Sequence, residues 1–433
     1  MRFKRPLIIA AAVTATLALS NFTPVTLTQS DFSENYPPVV CPTTPAGESS
    51  AISIPSTQTG SRVLGKKTVI FKPTRTLRLM QSSSPTILDT KNLTSPVWQL
   101  KKGVWAGATI CSAPSISQWF VGGAADVTSK GRLVLINSGL SEAIIDVEIW
   151  SEAGIRPPKV VTLKANSSVV QSLDSLDPGA KRIALHVAPR SGRVNAFLVD
   201  ERGRGLKSLG GDMVNASPDP SKEVVIPAIP HMKRSGKALS HTLRVIAPGD
   251  VDARISVELI STKGSFVPFG FDDRAVKAGI VTEIPLNPEL VPSTFALKIT
   301  SDRPIVASVY SSTYVDGKSD FVWSTSTAEM KAYSLAVSGL APTLVFAGEK
   351  ISISLSVLYT NKKEKKLTIT GEGIATFKVP DNARTVHFTK VSDKTVGGAL
   401  ISTQSGFGYL PLNPGSELTR VLLPSANIRV LNP

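Results

Sequence analysis

The sequence predicts an all-β fold, built as tandem immunoglobulin-like β-sandwiches after an N-terminal signal or anchor segment. Apolar Ile145, Val147 and Ile149 alternate with polar or aromatic neighbours, which is typical of a strand with one buried face. Around the stretch 132–200, turn residues separate six or seven such strands in about 90 residues, at intervals of roughly 8–12 residues. No apolar stripe with a helical period interrupts that stretch.

The same pattern recurs along the chain. Residues 243–246 repeat residues 133–136, and residues 255–259 repeat residues 145–149, both at an offset of 110. A third, degraded copy covers 353–403. Because an ordered series of matches at a nearly constant offset is typical of repeats, we expect consecutive structural units.

The N-terminus predicts export. Arg2, Lys4 and Arg5 precede an apolar run of 14 residues, which is shorter than the roughly 20 needed for a spanning helix and typical of a secretory signal. The predicted organisation begins with a signal peptide or anchor (1–20), a linker rich in Ser, Thr and Pro (21–60) and an N-terminal β-unit (61–118). Two β-sandwich repeats (119–218 and 219–330) and a degenerate third repeat (331–433) follow. We expect the protein at the extracellular face of the cytoplasmic membrane or secreted.

The chain has two cysteines, Cys41 and Cys111. An even number in an exported protein predicts a disulfide, and two reduced buried thiols or one reactive thiol are the alternatives. Two cysteines without clustered histidines provide too few ligands for a structural zinc site.

Catalytic motifs are missing from the sequence. It contains no metalloprotease, CxxC, calcium-loop or nucleophile-elbow pattern, so we expect no enzyme, catalytic residues, metal or cofactor. His186 and His387 lie in apolar strands and are interpreted as structural. Asp146 and Glu148 share a strand face and could act as paired carboxylates, but Glu258 repeats Glu148 and favours a solvent-facing surface. A triad defined only by geometry stays open.

Charge is the more informative property. The chain has 48 Lys and Arg against 33 Asp and Glu, a net charge of +15. For an exported protein this predicts an envelope protein or anionic wall polymer as partner, no nucleic acid, and membrane contact only through the N-terminal segment. Basic clusters lie at 202–207, 231–237 and 362–366. The candidate ligand-binding residues are Arg202, Arg204 and Lys207 in the first cluster, with Asp146, Glu148 and Trp150 on one strand face.

Several fragments together resemble a known family. They are Trp119 to Gly123, Leu133 to Asn137 before a Ser-Gly turn, Arg204 to Leu206, and Asp320 to Ser324, in this order. They resemble a family of exported or membrane-anchored actinobacterial proteins with a domain of unknown function. Cys41 with Pro42, and Cys111, fit its N-terminal pattern. The resemblance covers most of 41–330, implies an envelope location in a Gram-positive actinobacterium, and assigns no catalytic residue.

We therefore expect a non-enzymatic, exported binding scaffold or accessory subunit of cell-envelope assembly. A module that binds carbohydrate or anionic wall polymer is the alternative, and a hydrolase comes third. A deep pocket with convergent catalytic groups would favour the hydrolase, whereas an apolar surface across two units would favour a protein partner.

Overall fold

A computed structural model describes residues 32–66, 70–81, 83–90, 92–102, 105–231, 239–286, 293–315, 318–404 and 406–422. The predicted signal segment 1–20, residues 21–31 of the linker and most of the basic cluster 231–237 lie outside the described residues. The chain forms two compact units. The larger comprises residues 36–417 and the smaller comprises residues 1–35 and 418–433.

The prediction of an all-β fold is confirmed. Between residues 32 and 231 the strands are β1 (Phe32–Asn35), β2 (Val39–Cys41), β3 (Ser49–Ser53), β4 (Gly60–Val63), β5 (Lys72–Pro73), β6 (Arg78–Met80), β7 (Thr86–Asp89), β8 (Thr94–Ser95), β9 (Val97–Lys102), β10 (Ala108–Ile110), β11 (Gln118–Val121), β12 (Arg132–Asn137), β13 (Ala143–Ser151), β14 (Gly154–Leu163), β15 (Ser167–Ser172), β16 (Ile183–Ser191), β17 (Asn195–Arg204), β18 (Lys207–Val214) and β19 (Ser221–His231). A short 3₁₀ helix spans Leu173–Ser175.

From residue 241 onward the strands are β20 (His241–Ile246), β21 (Ala253–Ser261), β22 (Gly264–Phe266), β23 (Arg274–Val276), β24 (Thr282–Leu286), β25 (Ser293–Val315), β26 (Lys318–Thr325), β27 (Tyr333–Ala336), β28 (Thr343–Tyr359), β29 (Glu364–Lys378), β30 (Ala383–Val391), β31 (Val396–Ser402), β32 (Phe407–Pro411) and β33 (Thr419–Leu422). The described part of the chain contains no α-helix, and hence none long and apolar enough to cross a membrane.

The smaller unit contains one described β-ladder. Strands β1 and β33 pair antiparallel, from Phe32 opposite Leu422 to Asn35 opposite Thr419. The Thr419 hydroxyl donates a hydrogen bond of 2.9 Å to the Asn35 carbonyl. Within this unit, residues 32–35 and 419–422 are therefore joined by main-chain and side-chain hydrogen bonds.

In the larger unit, residues 39–110 form two four-stranded sheets, ordered β10-β9-β3-β6 and β2-β7-β4-β5. The predicted disulfide between Cys41 and Cys111 is confirmed, and both residues are fully buried. The bond joins β2 of one sheet to the residue that follows β10 of the other. It therefore ties the two sheets around a shared apolar core.

Residues 118–214 form two further four-stranded sheets, ordered β11-β16-β13-β14 and β15-β12-β17-β18. The alternation that predicted β13 is observed, because Ile145, Val147 and Ile149 are buried in the core while Asp146 and Glu148 are partly exposed. That core also contains side chains of β12, β16 and β17. The period of two thus sets which face of β13 is inside.

The pairing order recurs in the next stretch of the larger unit. Strand β25 is long enough to pair with β19 and β21 through its first half and with β20 and β26 through its second half. The orders β11-β16-β13 and β15-β12-β17-β18 thereby return as β19-β25-β21 and β24-β20-β25-β26. Farther on, β27-β30-β28-β29 follows the order β11-β16-β13-β14.

The sheets do not stop at the predicted domain boundaries. Strand β8, placed by the sequence in the N-terminal unit, pairs in parallel with β27 of the C-terminal third.

Trp105 is buried against Gly107 and Gly211, where an added Cβ would come within 3 Å of its ring. Glycine at these two positions is therefore required by the close approach of the indole.

Candidate functional site

The described chain contains a buried polar network where β17, β18, β20 and β26 meet. It consists of Asp200, Arg202, Asp212 and Asp320, with Arg244 lying 4.7 Å from the ring centre of Trp323 and hydrogen-bonded to Glu283. The three carboxylates are at most 3% exposed and Arg244 is 1% exposed. Buried charges of this kind are stable only when they are paired and hydrogen-bonded.

Trp323 connects two of the three carboxylates. Its indole N–H donates to Asp200 Oδ2 at 2.9 Å, and its backbone N–H donates to Asp212 Oδ2 at 2.7 Å. The Asp200 carboxylate also accepts a 3.0 Å bond from Arg202 Nη2. The network thus fixes β26 against β17 and β18.

Asp320 binds main-chain groups only. Its Oδ1 accepts a 3.0 Å bond from the Gly211 N–H, and its Oδ2 accepts a 3.1 Å bond from the Ala106 N–H. A Cβ on Gly210 would lie 2.7 Å from Asp320, so the neighbouring glycine permits the contact. Burial raises the pKa of Asp320 to about 7 and raises that of Asp212 well above its ordinary value.

The structure divides the predicted basic site at residues 202–207. Arg202 was expected in a loop or strand end, but its side chain is directed inward, where it pairs with Asp200 and lies 5.2 Å from the ring centre of Tyr310. The pairing leaves 22% of the Arg202 side chain exposed, and ligand binding by Arg202 remains a prediction. Arg204 and Lys207 face each other across the β17–β18 hairpin and are exposed. Polymer binding by these two remains a prediction.

Asp146 and Glu148 belong to a cluster on the outer face of β13. Glu148 Oε2 lies 2.7 Å from Nδ1 of His186, and Nε2 of the same ring lies 3.0 Å from the Ser117 hydroxyl. That hydroxyl also donates a 2.6 Å bond to Asp219. Asp146 accepts a 2.6 Å bond from Nε of Arg190. Ser117 and Asp219 carry no signal in the sequence, because strand pairing is what brings them to His186.

Trp150 does not lie on an open polar surface. It is 3% exposed and stacks on Trp119 at 5.2 Å between ring centres, and Trp119 stacks on His186 at 4.3 Å. The expected solvent exposure is wrong because Ile246, Val281 and Val306 cover this part of the sheet; they form one buried cluster with the two tryptophans. Ligand contact by Trp150 would require that cluster to open.

His186, Lys298 and His387 lie at equivalent positions on the middle strands of their repeats. In register, His186 lies between Trp119 and Glu148, Lys298 between Val225 and Glu258, and His387 between Ser334 and Ser356. Trp150 and its repeat counterpart Ile260 are both buried where one group of sheets packs on the next. The cross-strand residues around His186 and around Lys298 therefore lie beside two equivalent junctions, the places where one group of sheets packs on the next.

A groove opens at the second of these junctions, with a volume of about 710 Å³. Its floor includes Val225, Ile260 and Ala347. Five carboxylates and four ammonium groups surround that floor, from Glu223, Glu258, Glu349, Glu372, Asp393, Lys263, Lys298, Lys350 and Lys394. We call this site the junction groove.

Strand irregularity shapes the junction groove. Gly348 pairs with Gly373 and Lys350 with Glu372, so Glu349 is an extra residue in β28. Such bulges re-aim a side chain and are frequent beside functional sites. On the paired strands β19 and β25, which line one side of the groove, Lys298 Nζ lies 3.6 Å from Glu223 Oε2. The arrangement can bind a chain that carries both charges over an apolar strip.

Metal binding is not indicated by the described side chains. Within the ranges given above, no three His, Cys, Asp or Glu residues are grouped closely enough to hold a metal ion.

The chain is thus an all-β protein with a recurring strand order and a buried network of aspartate and arginine side chains. The chain belongs to a family of unknown function, DUF5719, whose sequence profile matches residues 95–380. No curated protein matches the chain. The crystal structure of Thermotoga maritima 1070 is similar over 24% of this chain and 93% of its own, with 16% identity and a TM-score of 0.22. A likeness at that TM-score supports no conclusion about fold or function.

Proposed function

We propose that the protein is an exported binding scaffold, or an accessory subunit of cell-envelope assembly, built from tandem immunoglobulin-like units. The basic, then apolar N-terminus supports export. The recurring strand order supports the tandem arrangement. The observation that carries the binding function is the junction groove, an open concavity of about 710 Å³ with an apolar floor and a charged rim.

The charge pattern of the groove favours a protein partner over an anionic polymer. A polyanion would meet the carboxylates of Glu223, Glu258, Glu349, Glu372 and Asp393, and like charges brought together oppose binding. A polypeptide with both acidic and basic side chains can instead place each charge opposite its complement. An anionic wall polymer is better matched by the exposed Arg204 and Lys207, away from the groove lining.

An exchange of two groove charges tests this function. The variant Lys350→Glu with Glu372→Lys reverses two facing charges but keeps the net charge. We expect it to recover at least about tenfold less partner than the wild type from cross-linked envelope extracts, because the complementary pattern is broken. The measurement is quantitative mass spectrometry of the recovered proteins.

The matched control lies on the same hairpin. Exchanging Glu364 and Lys365 (Glu364→Lys with Lys365→Glu) also preserves net charge, at exposed positions outside the groove lining. We expect wild-type recovery from this control. Equal recovery by both exchange variants would contradict binding in the junction groove.

A second candidate function, hydrolysis of an ester or amide, is favoured by the Ser117, His186 and Glu148 contacts. A serine, a histidine and a carboxylate within hydrogen-bond reach are the parts of a nucleophilic triad. However, Asp219 accepts the hydroxyl proton of Ser117 at 2.6 Å and so competes with His186 for it. The cluster also occupies the same sheet position as Lys298 and His387. The scaffold is accordingly the stronger candidate.

A covalent probe separates these two functions. If the contacts among Ser117, His186 and Glu148 only stabilise the face of the sheet, a fluorophosphonate will label neither the wild-type protein nor the Ser117→Ala variant. Intact-protein mass spectrometry gives the readout. Stoichiometric labelling of the wild type that is lost in Ser117→Ala would instead establish a nucleophilic serine and make hydrolysis the leading function.

A further inference from the structure

The junction groove lies between two sheet edges. Strand β22 pairs only with β21 in the described part of the chain, and β29 pairs only with β28. Gly264 and Ser265 of β22, and Glu372 and Gly373 of β29, line the groove. Every second residue of an edge strand directs its N–H and C=O away from its own sheet. Both walls of the groove therefore offer main-chain hydrogen-bonding groups.

Glycine brings β29 close to the neighbouring sheet. Gly373 has a φ of +70°, and a Cβ there would lie 3.1 Å from Ile260, one residue from the end of β21. A side chain at position 373 would separate the strands. The contact places the β29 edge beside the β21–β22 hairpin, across a space that is open along the groove.

The β29 edge is long and remains open at its lysine-rich end. The strand has 15 residues, and the side chains of its first three are exposed. Lysines at an edge oppose uncontrolled strand pairing, which explains the cluster at 362–366 as a guard on the hairpin end. The guard stops short of Thr368 and Thr370, both exposed and uncharged. From Thr368 to the groove residue Glu372, β29 carries no cationic side chain that would oppose the pairing of another strand.

Apolar anchors border the β22 wall. Phe266 and Val267 are each almost half exposed, and Phe269 is fully exposed, directly after groove residue Ser265. Exposed aromatic side chains next to a charged groove are typical energetic centres of protein interfaces. They supply apolar contact that a polar polymer would leave unused.

We propose that the groove binds an extended polypeptide segment of a partner protein, which adds as a strand to the β29 edge. The inference rests on the proposed binding function and specifies its ligand class. Main-chain hydrogen bonds to β29 would supply affinity, and the mixed rim charges with Phe269 would supply sequence preference. A segment of six to eight residues, at roughly 3.3 Å per residue, would span the exposed edge.

A displayed library of random 12-residue peptides is the probe. The full chain is panned against it, with counter-selection on the Lys350→Glu, Glu372→Lys variant. Enriched peptides are then resynthesised with one N-methyl group at each successive amide. Strand addition predicts at least tenfold weaker binding at alternate amides only, together with slowed hydrogen exchange at residues 366–372.

The outcomes separate the two claims. Peptides that discriminate wild type from the exchange variant, but tolerate N-methylation without a period of two, overturn strand addition and leave the groove as a binding site. A library that yields no peptide discriminating the two proteins overturns the groove function as well. Phe269→Ala is expected to weaken the enriched peptides at least fivefold, whereas Val170→Ala, an exposed apolar residue on β15, leaves them unchanged.

Discussion

Asp320→Ala is expected to destabilise the fold by about 3–5 kcal/mol. The substitution removes the acceptor of two main-chain N–H groups, those of Gly211 and Ala106. Each buried donor left without a partner costs about 1–3 kcal/mol, and the lost packing adds to that cost. Urea unfolding of the full chain measures the change, with exposed Asp272→Ala as the control that should shift stability by less than about 0.5 kcal/mol.

The isosteric Asp320→Asn tests the same contact without a cavity. Both carboxylate oxygens of Asp320 accept N–H bonds, so one amide NH₂ would face a donor and one of the two bonds would be lost. We expect about half the destabilisation of the alanine variant. Wild-type stability in both variants would show that the carboxylate does not hold β18 and β26 together.

The Asp320 carboxyl also makes stability depend on pH. Burial raises its pKa to about 7, above the ordinary value near 3.9 that applies to the unfolded chain. The folded state therefore binds the Asp320 proton more tightly than the unfolded chain does. The free energy of unfolding that this proton adds is complete below about pH 4 and is lost as pH rises through about 7. The stability advantage of the wild type over Asp320→Asn should shrink between pH 5 and pH 8.

Replacing both Cys41 and Cys111 by alanine is the second large change. The disulfide joins positions 70 residues apart, and closing a loop of that length stabilises the folded state by about 4 kcal/mol in the chain-entropy model. We expect the double variant to unfold at correspondingly lower urea concentration. Equal stability of the variant and the oxidised wild type would contradict this role.

Chemical labelling provides an independent check of the disulfide. Both sulfurs are buried, so a maleimide should modify neither cysteine under native conditions, nor after unfolding without reductant. Two labels should appear after reduction in urea. Labelling of the unreduced, unfolded chain would show that the two thiols are free.

Sequence periodicity predicted the strands but not what covers them. The alternation in β13 correctly placed Ile145, Val147 and Ile149 inside, and it put Trp150 on the opposite face with Glu148. That face is open at Glu148 and closed at Trp150, because Trp119 and residues of β20 and β25 pack there. A local pattern distinguishes two faces of a strand, whereas cover by another sheet depends on distant residues.

Charge clustering in the sequence was similarly incomplete. Residues 202–207 formed a visible basic cluster, yet Arg202 is held by Asp200 inside the fold. The junction groove was missed because its charges come from separate stretches near positions 223, 258, 298, 349, 372 and 393. One signal pointed toward it: Glu258 repeats Glu148 at the offset of 110, and both lie beside junctions.

The fragments that suggested a family have a structural explanation. Asp320 and Trp323 take part in the buried network. A Cβ at Gly122 would lie 2.8 Å from Val214 and 3.3 Å from Trp323, and one at Gly123 would lie 2.9 Å from Leu173. These residues therefore maintain the packing of several sheets. The contacts of Gly122, Gly123, Asp320 and Trp323 thus give these four residues a structural role.

Position-specific photo-cross-linking in intact cells shows whether a partner protein binds in the junction groove. A photoreactive residue replaces Ser265, which lines the junction groove, or Ser168, an exposed serine on β15. We predict a discrete protein adduct from position 265 that disappears when Lys350 and Glu372 are exchanged, and none from position 168. The same adducts from both positions, or an adduct from position 265 that survives the exchange, would contradict a partner bound in the groove.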